Sequence, residues 1–340
     1  MITLFVGCAG ERVAPEEGKP SEAASPSRAR SLANEFQWAV QDYEAGKYVA
    51  ATEKFQKLEA AGAENPEFDL VPFYLGMGYF QAGQDGPAKE RLQTYLKGER
   101  SGENAQEARL ALLTIYERTH AWDELLGLSA ETDPQPLSQT NRAYLKLLWA
   151  RALKEKREAK GARAVLAESL QYLRGDPSVS AKAATANQDL WGRYHYTDLL
   201  LRLDSCERSS PRTLAEGKKG ARRIYPAWLD SSVDCYRAAL RFMESELLNR
   251  ESAWAKPGAE DFSKAVDVFA QRIQGFYQDE KNQLNRRRAL QSAARASVYR
   301  FLSALEESTR ALKPGVAGPE AFANIRKRLD LLLVSISSPT

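Results

Sequence analysis

The residues able to do chemistry in this chain are few, and their spacing does not bring them together. Two histidines are present, His120 and His195, and three cysteines, Cys8, Cys206 and Cys235. Neither histidine has a partner at metal-ligand spacing, so both are expected to be structural. Lys218, in Gly217-Lys218-Lys219-Gly220, lacks the glycine spacing and the following Ser or Thr of a phosphate-binding loop. No Gly-x-Ser-x-Gly and no Cys-x2-Cys string occurs. The expectation is a chain that is not an enzyme and uses no metal or cofactor. Two basic clusters stand out: Lys218, Lys219, Arg222 and Arg223, and then Arg286, Arg287 and Arg288. Nucleic-acid binding calls for a larger excess than the net +3 found here. Solvated faces on long helices account for such clusters most simply. In an exported protein they would suit anionic lipid, peptidoglycan or an acidic protein.

The elements that would carry these residues are helices. Ala, Leu, Glu, Arg, Lys and Gln dominate, all good helix formers. Alternating runs of Val, Ile and Thr are missing, which argues against strands. With 43% hydrophobic and 27% charged residues, the composition is that of a folded chain rather than a disordered one. A length of 340 residues exceeds what one core usually serves, so two domains or an extended solenoid are expected. No apolar run approaches the roughly 20 residues that cross a bilayer. Residues 1–200 carry 24 basic against 28 acidic side chains, and residues 201–340 carry 24 against 17, so the C-terminal part is the basic one.

The strongest pattern lies in Leu75-Gly76-x2-Tyr79, Gly83 and Ala88-x3-Leu92. Small residues at two of these slots let neighbouring helices approach to the short end of the usual 8–10 Å. The same slots recur earlier as Trp38-Ala39, Gly46 and Ala51-x3-Phe55, at an offset of 37 positions. A third unit keeps the apolar skeleton at Leu112, Tyr116, Trp122 and Leu125 but loses the small residues, with His120 at the turn. This spacing resembles the tetratricopeptide repeat, a helix–turn–helix unit of about 34 residues whose stacked copies form a solenoid. The resemblance implies an all-α, TPR-like α-solenoid that binds a protein or peptide in a groove lined by the first helix of each pair. Candidate groove residues are Asp42, Tyr43, Tyr74, Met77 and Gln81.

Repeats of this kind are expected over 32–175, with a fourth, divergent hairpin from about Thr140 to Leu173 and the register decaying thereafter. The Gly175-Asp176-Pro177 string breaks the chain. Longer, divergent helices follow over 176–340, ending in a capping helix from Pro319 and a fraying tail from Ser335. An inserted loop, 205–226, separates a helix ending near Leu203 from one beginning near Ala227. Loops longer than about 12–15 residues are usually functional or disordered.

The N-terminus resembles that of bacterial lipoproteins. Leu4-Phe5-Val6-Gly7-Cys8 is similar to the lipobox, in which a cysteine becomes the lipidated N-terminus; Phe5 departs from the usual Leu. Upstream of Cys8 there is no positive n-region and only seven residues, so the true start is expected further upstream or the sequence is a truncated one. Residues 9–31 are rich in Ala, Glu, Pro, Ser and Gly and read as a flexible tether. The layout implies a lipid-anchored protein, and Ala9 resembles the outer-membrane sorting class, facing the periplasm. If the chain is exported, Cys206 and Cys235 can form a disulfide across the insertion; otherwise they are buried or free thiols.

One string suggests an enzyme. Glu251-Ser252 resembles the Glu-Ser dipeptide of lytic transglycosylases, which act on peptidoglycan with glutamate as general acid/base. The Gly-Leu-Met-Gln motif that should follow is absent, and Arg250 stands beside Glu251 where a buried apolar pocket is needed. The leading expectation is a non-catalytic scaffold of an envelope assembly. The alternatives are this peptidoglycan enzyme and a cytoplasmic repeat adaptor without lipid.

Overall fold

A computed structural model describes residues 26–61, 66–97, 101–174, 181–209, 221–279, 284–312 and 319–337; Cys8, residues 9–25 of the expected tether, Lys218 and Lys219 lie outside them, while residues 26–31, expected as tether, are helical. Among the described residues there are thirteen α-helices and no strand. The all-α expectation holds. Packing divides the chain into two compact units, Met1–Gly98 and Glu99–Thr340.

The first unit holds α1 (Pro26–Glu44), α2 (Tyr48–Ala60), α3 (Val71–Gln81) and α4 (Asp85–Leu96). A 3-10 turn, Pro66–Leu70, leads into α3. Each helix packs on the next in sequence. Phe36, Ala39, Ala51, Phe55, Leu58, Val71 and Leu75 form a core, and all are buried. Glycine sets the spacing on both sides of α3. A Cβ on Gly76 would lie 2.6 Å from the Leu92 side chain and 3.1 Å from its backbone nitrogen, so α4 can approach only where no side chain stands. A Cβ on Gly78 would lie 2.5 Å from Thr52 Oγ1 on α2.

The second unit holds α5 (Glu103–Arg118), α6 (Trp122–Glu131), α7 (Gln139–Glu155), α8 (Ala159–Arg174), α9 (Ala181–Ser209), α10 (Ala221–Met243), α11 (Ala255–Asp279), α12 (Leu284–Ala311) and α13 (Pro319–Ser337). The odd-numbered helices pack in succession, α5 on α7, α7 on α9, α9 on α11 and α11 on α13. Behind them α10 packs on α12, and α12 on α13. Near its end the core turns aromatic: Tyr236, Phe262, Phe269, Phe301 and Phe322 are all buried.

Four helix turns share one geometry. Gly46, Gly83, His120 and Arg157 all sit at positive φ, 76°, 73°, 56° and 65°. In each, the residue's own N–H reaches the carbonyl three residues back: Gly46 to Tyr43, Gly83 to Phe80, His120 to Glu117 and Arg157 to Lys154. The next N–H reaches five back: Lys47 to Asp42, Gln84 to Tyr79, Ala121 to Tyr116 and Glu158 to Leu153. This is the Schellman closure of a helix C-terminus. The offset is 37 residues each time, so the register extends to a fourth unit rather than fading after the third. The slots it aligns are buried throughout: Ala39, Gly76, Leu113 and Ala150 in the first helices, and Ala51, Ala88, Leu125 and Ala162 in the second.

Several boundaries differ from expectation. The insertion 205–226 is not loop at its described ends: α9 runs on to Ser209 and α10 begins at Ala221, while 210–220 lie outside the described residues. At its other end α10 stops at Met243 and continues as a π-helical turn, Glu244–Leu248, closed by Asn249 N–H on the Glu244 carbonyl. The tail expected to fray from Ser335 is helical to Ser337.

His120 and Arg157 occupy a conformation that costs a non-glycine residue roughly 1–2 kcal/mol. Arg157→Gly is expected to raise the unfolding free energy by about 1 kcal/mol. Gly83→Val, a β-branched residue at positive φ, is expected to lower it by at least as much. Urea titration followed by circular dichroism reads both.

Candidate functional site

The register gives two rows of equivalent slots on the first helices: Val40 and Met77 in the first unit with Thr114 and Arg151 in the second, and Tyr43 and Phe80 in the first with Glu117 and Lys154 in the second. Within the first unit these slots hold apolar and aromatic side chains. Within the second they hold a hydroxyl and charges.

In the second unit the row is built into a network of arginine and aromatic rings. The Arg193 guanidinium on α9 donates to Glu117 of α5 at 2.5 Å. Its face lies 4.5 Å from the Trp254 ring and 5.2 Å from Tyr144 of α7. Tyr144 and Thr114 share a hydrogen bond of 2.7 Å. Arg151 of α7 stands 5.0 Å over Tyr196 of α9 and donates to Glu155 at 3.0 Å. The Tyr196 hydroxyl donates to Asp261 of α11 at 2.6 Å, and its ring stacks on Trp254 at 5.0 Å. Trp254 Nε1 donates to Asp189 at 3.0 Å. Burial pushes the Tyr196 hydroxyl up to about 12. Burial opposes the charge on Asp261, yet the hydrogen bonds from Tyr196 and Lys264 hold its carboxyl below the ordinary range.

Glycine again makes the approach possible. A Cβ on Gly192 would lie 2.3 Å from Ser252 Oγ and 2.8 Å from Trp254 Cδ1, so the turn carrying Trp254 seats directly on α9. That turn is a fifth Schellman closure, with Glu251 at φ 53°. Glu251 itself is exposed, without the enclosing apolar pocket that a protonated catalytic carboxyl needs.

Of the expected groove residues, three have other work. Asp42 accepts from Lys54 on α2 at 2.5 Å and lies 3.5 Å from Lys47, and the Lys54 hydrogen bond holds its carboxyl below the usual range. Tyr74 stacks on Phe55 at 5.0 Å and meets Phe36 edge-on, inside the aromatic packing. Met77 is 2% exposed. Tyr43 is half-buried, edge-on to Tyr48 and Tyr74, and Gln81 is exposed. These two keep access to solvent. Arg222, Arg223, Arg286, Arg287 and Arg288 fall on α10 and α12, but their side chains lie outside the described residues.

Cys206 and Cys235 form a disulfide, with Sγ atoms 1.97 Å apart and Cα atoms 5.5 Å apart. It joins α9 to α10. Beside it, Arg272 of α11 donates to the Glu207 carbonyl at 2.7 Å and to its carboxylate at 2.8 Å. The base of the 210–220 segment is thus tied to two helices.

His195 proves more enclosed than its isolated position in the sequence suggested. Its ring packs on Trp191, Tyr194 and Phe242 at 5.3–5.9 Å. Nε2 lies 3.5 Å from Glu246 on the π-helical turn, and the buried Nδ1 has no hydrogen-bond partner. Burial pulls the His195 pKa below its ordinary value, against the attraction of Glu246.

Compared with known protein families and with curated proteins, the chain matches none. Among the described residues no group of His, Cys, Asp and Glu could hold a metal ion, and no helix is long and apolar enough to cross a membrane.

Two predictions follow from these ties. The disulfide closes a sequence separation of 29 residues, so Cys206→Ala with Cys235→Ala is expected to cost about 3–4 kcal/mol of unfolding free energy. Chemical denaturation with and without reductant measures it: reductant should shift the wild type and leave the double variant unmoved. His195, with its pKa lowered in the fold, contributes fully while neutral in both states, above about pH 6.5. Its contribution falls as pH drops through that value towards the lower folded pKa. Comparing stability at pH 7.5 and 5.5, His195→Gln should lose less on acidification than the wild type does.

Proposed function

We propose that this chain is a non-catalytic, tetratricopeptide-like scaffold of a bacterial envelope, anchored in the outer membrane by lipid on Cys8 and facing the periplasm. It binds a protein or peptide on the face formed by the first helix of each pair. The observation that carries the reading is the 37-residue register of four identically closed turns, which puts the side chains of successive first helices in equivalent slots. Stacked helical repeats serve binding far more often than chemistry. The Cys206–Cys235 disulfide supports the export half of the reading, because such bonds persist in oxidising compartments. The Ala-, Pro- and Ser-rich stretch behind Cys8 suits a tether between anchor and folded repeats.

Two measurements in the native host test the two halves separately. Metabolic labelling with an alkyne fatty acid should tag the wild type and spare Cys8→Ser; an unmodified Cys8 in the mature protein would end the lipoprotein reading. A photo-crosslinking residue at exposed Gln81 should give a discrete adduct with an envelope protein, while one at exposed Val49, on the second helix of a pair, should not. Equal, diffuse labelling from both positions would remove the binding face.

A further inference from the structure

The connection from α10 to α11 holds α9 at two places. The first is the π-helical turn Glu244–Leu248, pinned by the fully buried Leu247 and Leu248. From it Glu246 reaches His195, with Oε2 3.5 Å from the ring Nε2. The second is the Schellman turn behind it, where Ser252 and Trp254 seat on Gly192. Gly192 and His195 are three residues apart on α9 and so share a face. π-helical turns beside α-helices recur at functional sites.

The first hold is built around a neutral imidazole. The His195 side chain is 12% exposed and lies among Trp191, Tyr194 and Phe242. Facing a carboxylate, Nε2 carries the proton of the neutral ring and Nδ1 is a lone pair. Nδ1 is buried and has no partner. A second proton would make it a buried donor without an acceptor and put a charge among three rings. The charged groups facing the ring are Glu246 and Arg250 from the connection and Asp198 from α9 itself. From α10 the ring meets Phe242, over which Arg202 stands at 4.3 Å. Glu246 and Asp198 favour the imidazolium, and Arg250 opposes it. The attraction of Glu246 is shared, because the same Oε2 lies 2.9 Å from Arg250. Burial outweighs both carboxylates and pulls the His195 pKa down.

We infer that residues 244–254 form an acid-loosened clasp on α9: a proton on His195 opens the π-helical turn and unseats Trp254, so that Arg193 and Tyr196 lose the ring that stacks on both. This device needs neither the lipid nor the partner proposed above.

An open clasp lets the ring titrate near its ordinary value of about 6.5, while the closed clasp titrates lower. The open population therefore rises by up to about tenfold between pH 7.5 and 5.5. Hydrogen–deuterium exchange of the full chain, read by mass spectrometry and corrected for the intrinsic pH dependence of exchange, measures it. The reporters are the amides of Asn249, Glu251 and Ser252, which bond to the carbonyls of Glu244, Leu248 and Leu247. Their protection should fall by up to about tenfold from pH 7.5 to 5.5, with α7 unchanged. In His195→Gln it should be the same at both pH values. Glu246→Gln removes a carboxylate that favours the imidazolium, so its fall should be at least as large as that of the wild type. A flat profile in the wild type, an equal fall in His195→Gln or a smaller fall in Glu246→Gln overturns the inference. An equal fall across α7 also overturns it, since His195 would then weaken the unit as a whole and not the clasp.

Discussion

At four turns spaced 37 residues apart, a helix is stopped by one residue at positive φ, and two backbone hydrogen bonds close the turn behind it. Everything regular in the two units depends on that stop falling at the same place. A helix that ends one residue late rotates its partner's start by about 100° and moves its apolar stripe off the neighbouring helix. Fixing the turn at 37-residue intervals instead places Ala51, Ala88, Leu125 and Ala162 in equivalent buried positions. Glycine fills the turn twice, without strain. At His120 and Arg157 the backbone bonds and the surrounding packing hold a side-chain-bearing residue in the same conformation. The geometry therefore belongs to the repeat and not to glycine.

Later in the second unit another means of holding helices takes over. There the short turns give way to long connections, and bulk replaces small residues. The rings of Phe262 and Phe269 on α11 lie 6.2–6.4 Å from Phe301 on α12, so the two helices meet through their aromatic side chains rather than by close backbone approach. Covalent and charged ties supply the registration that a tight turn supplied before. The disulfide links α9 to α10, and Arg272 links α11 to the end of α9. A unit built this way depends on its oxidation state, while the first unit, whose described residues include no cysteine, does not.

The helices, the pairing and the 37-residue register were legible because periodicity and small residues leave marks at fixed spacing. The fourth unit's turn was not, since Arg157 gives no sign of a left-handed conformation. The groove residues were only partly legible. Tyr74 and Met77 lie on the first helix of a pair, but a helix turns its side chains through 100° per residue, and spacing from Leu75 does not say which of them the neighbours cover. Asp42 was drawn away by Lys47 and Lys54, a pull that depends on where α2 begins. The Arg193 network left no trace in the sequence. Glu117, Tyr144, Arg193 and Trp254 come from three helices and a turn, and cation–aromatic stacking has no preferred sequence separation.

That network also uses up the charges it holds. Arg193 is stacked by two rings and paired to Glu117; Arg151 is stacked by Tyr196 and paired to Glu155. A guanidinium already stacked and neutralised gains little from a new carboxylate, because desolvating the incoming charge offsets the attraction. Its contribution is rigidity: it fixes the positions of the aromatic rings around it.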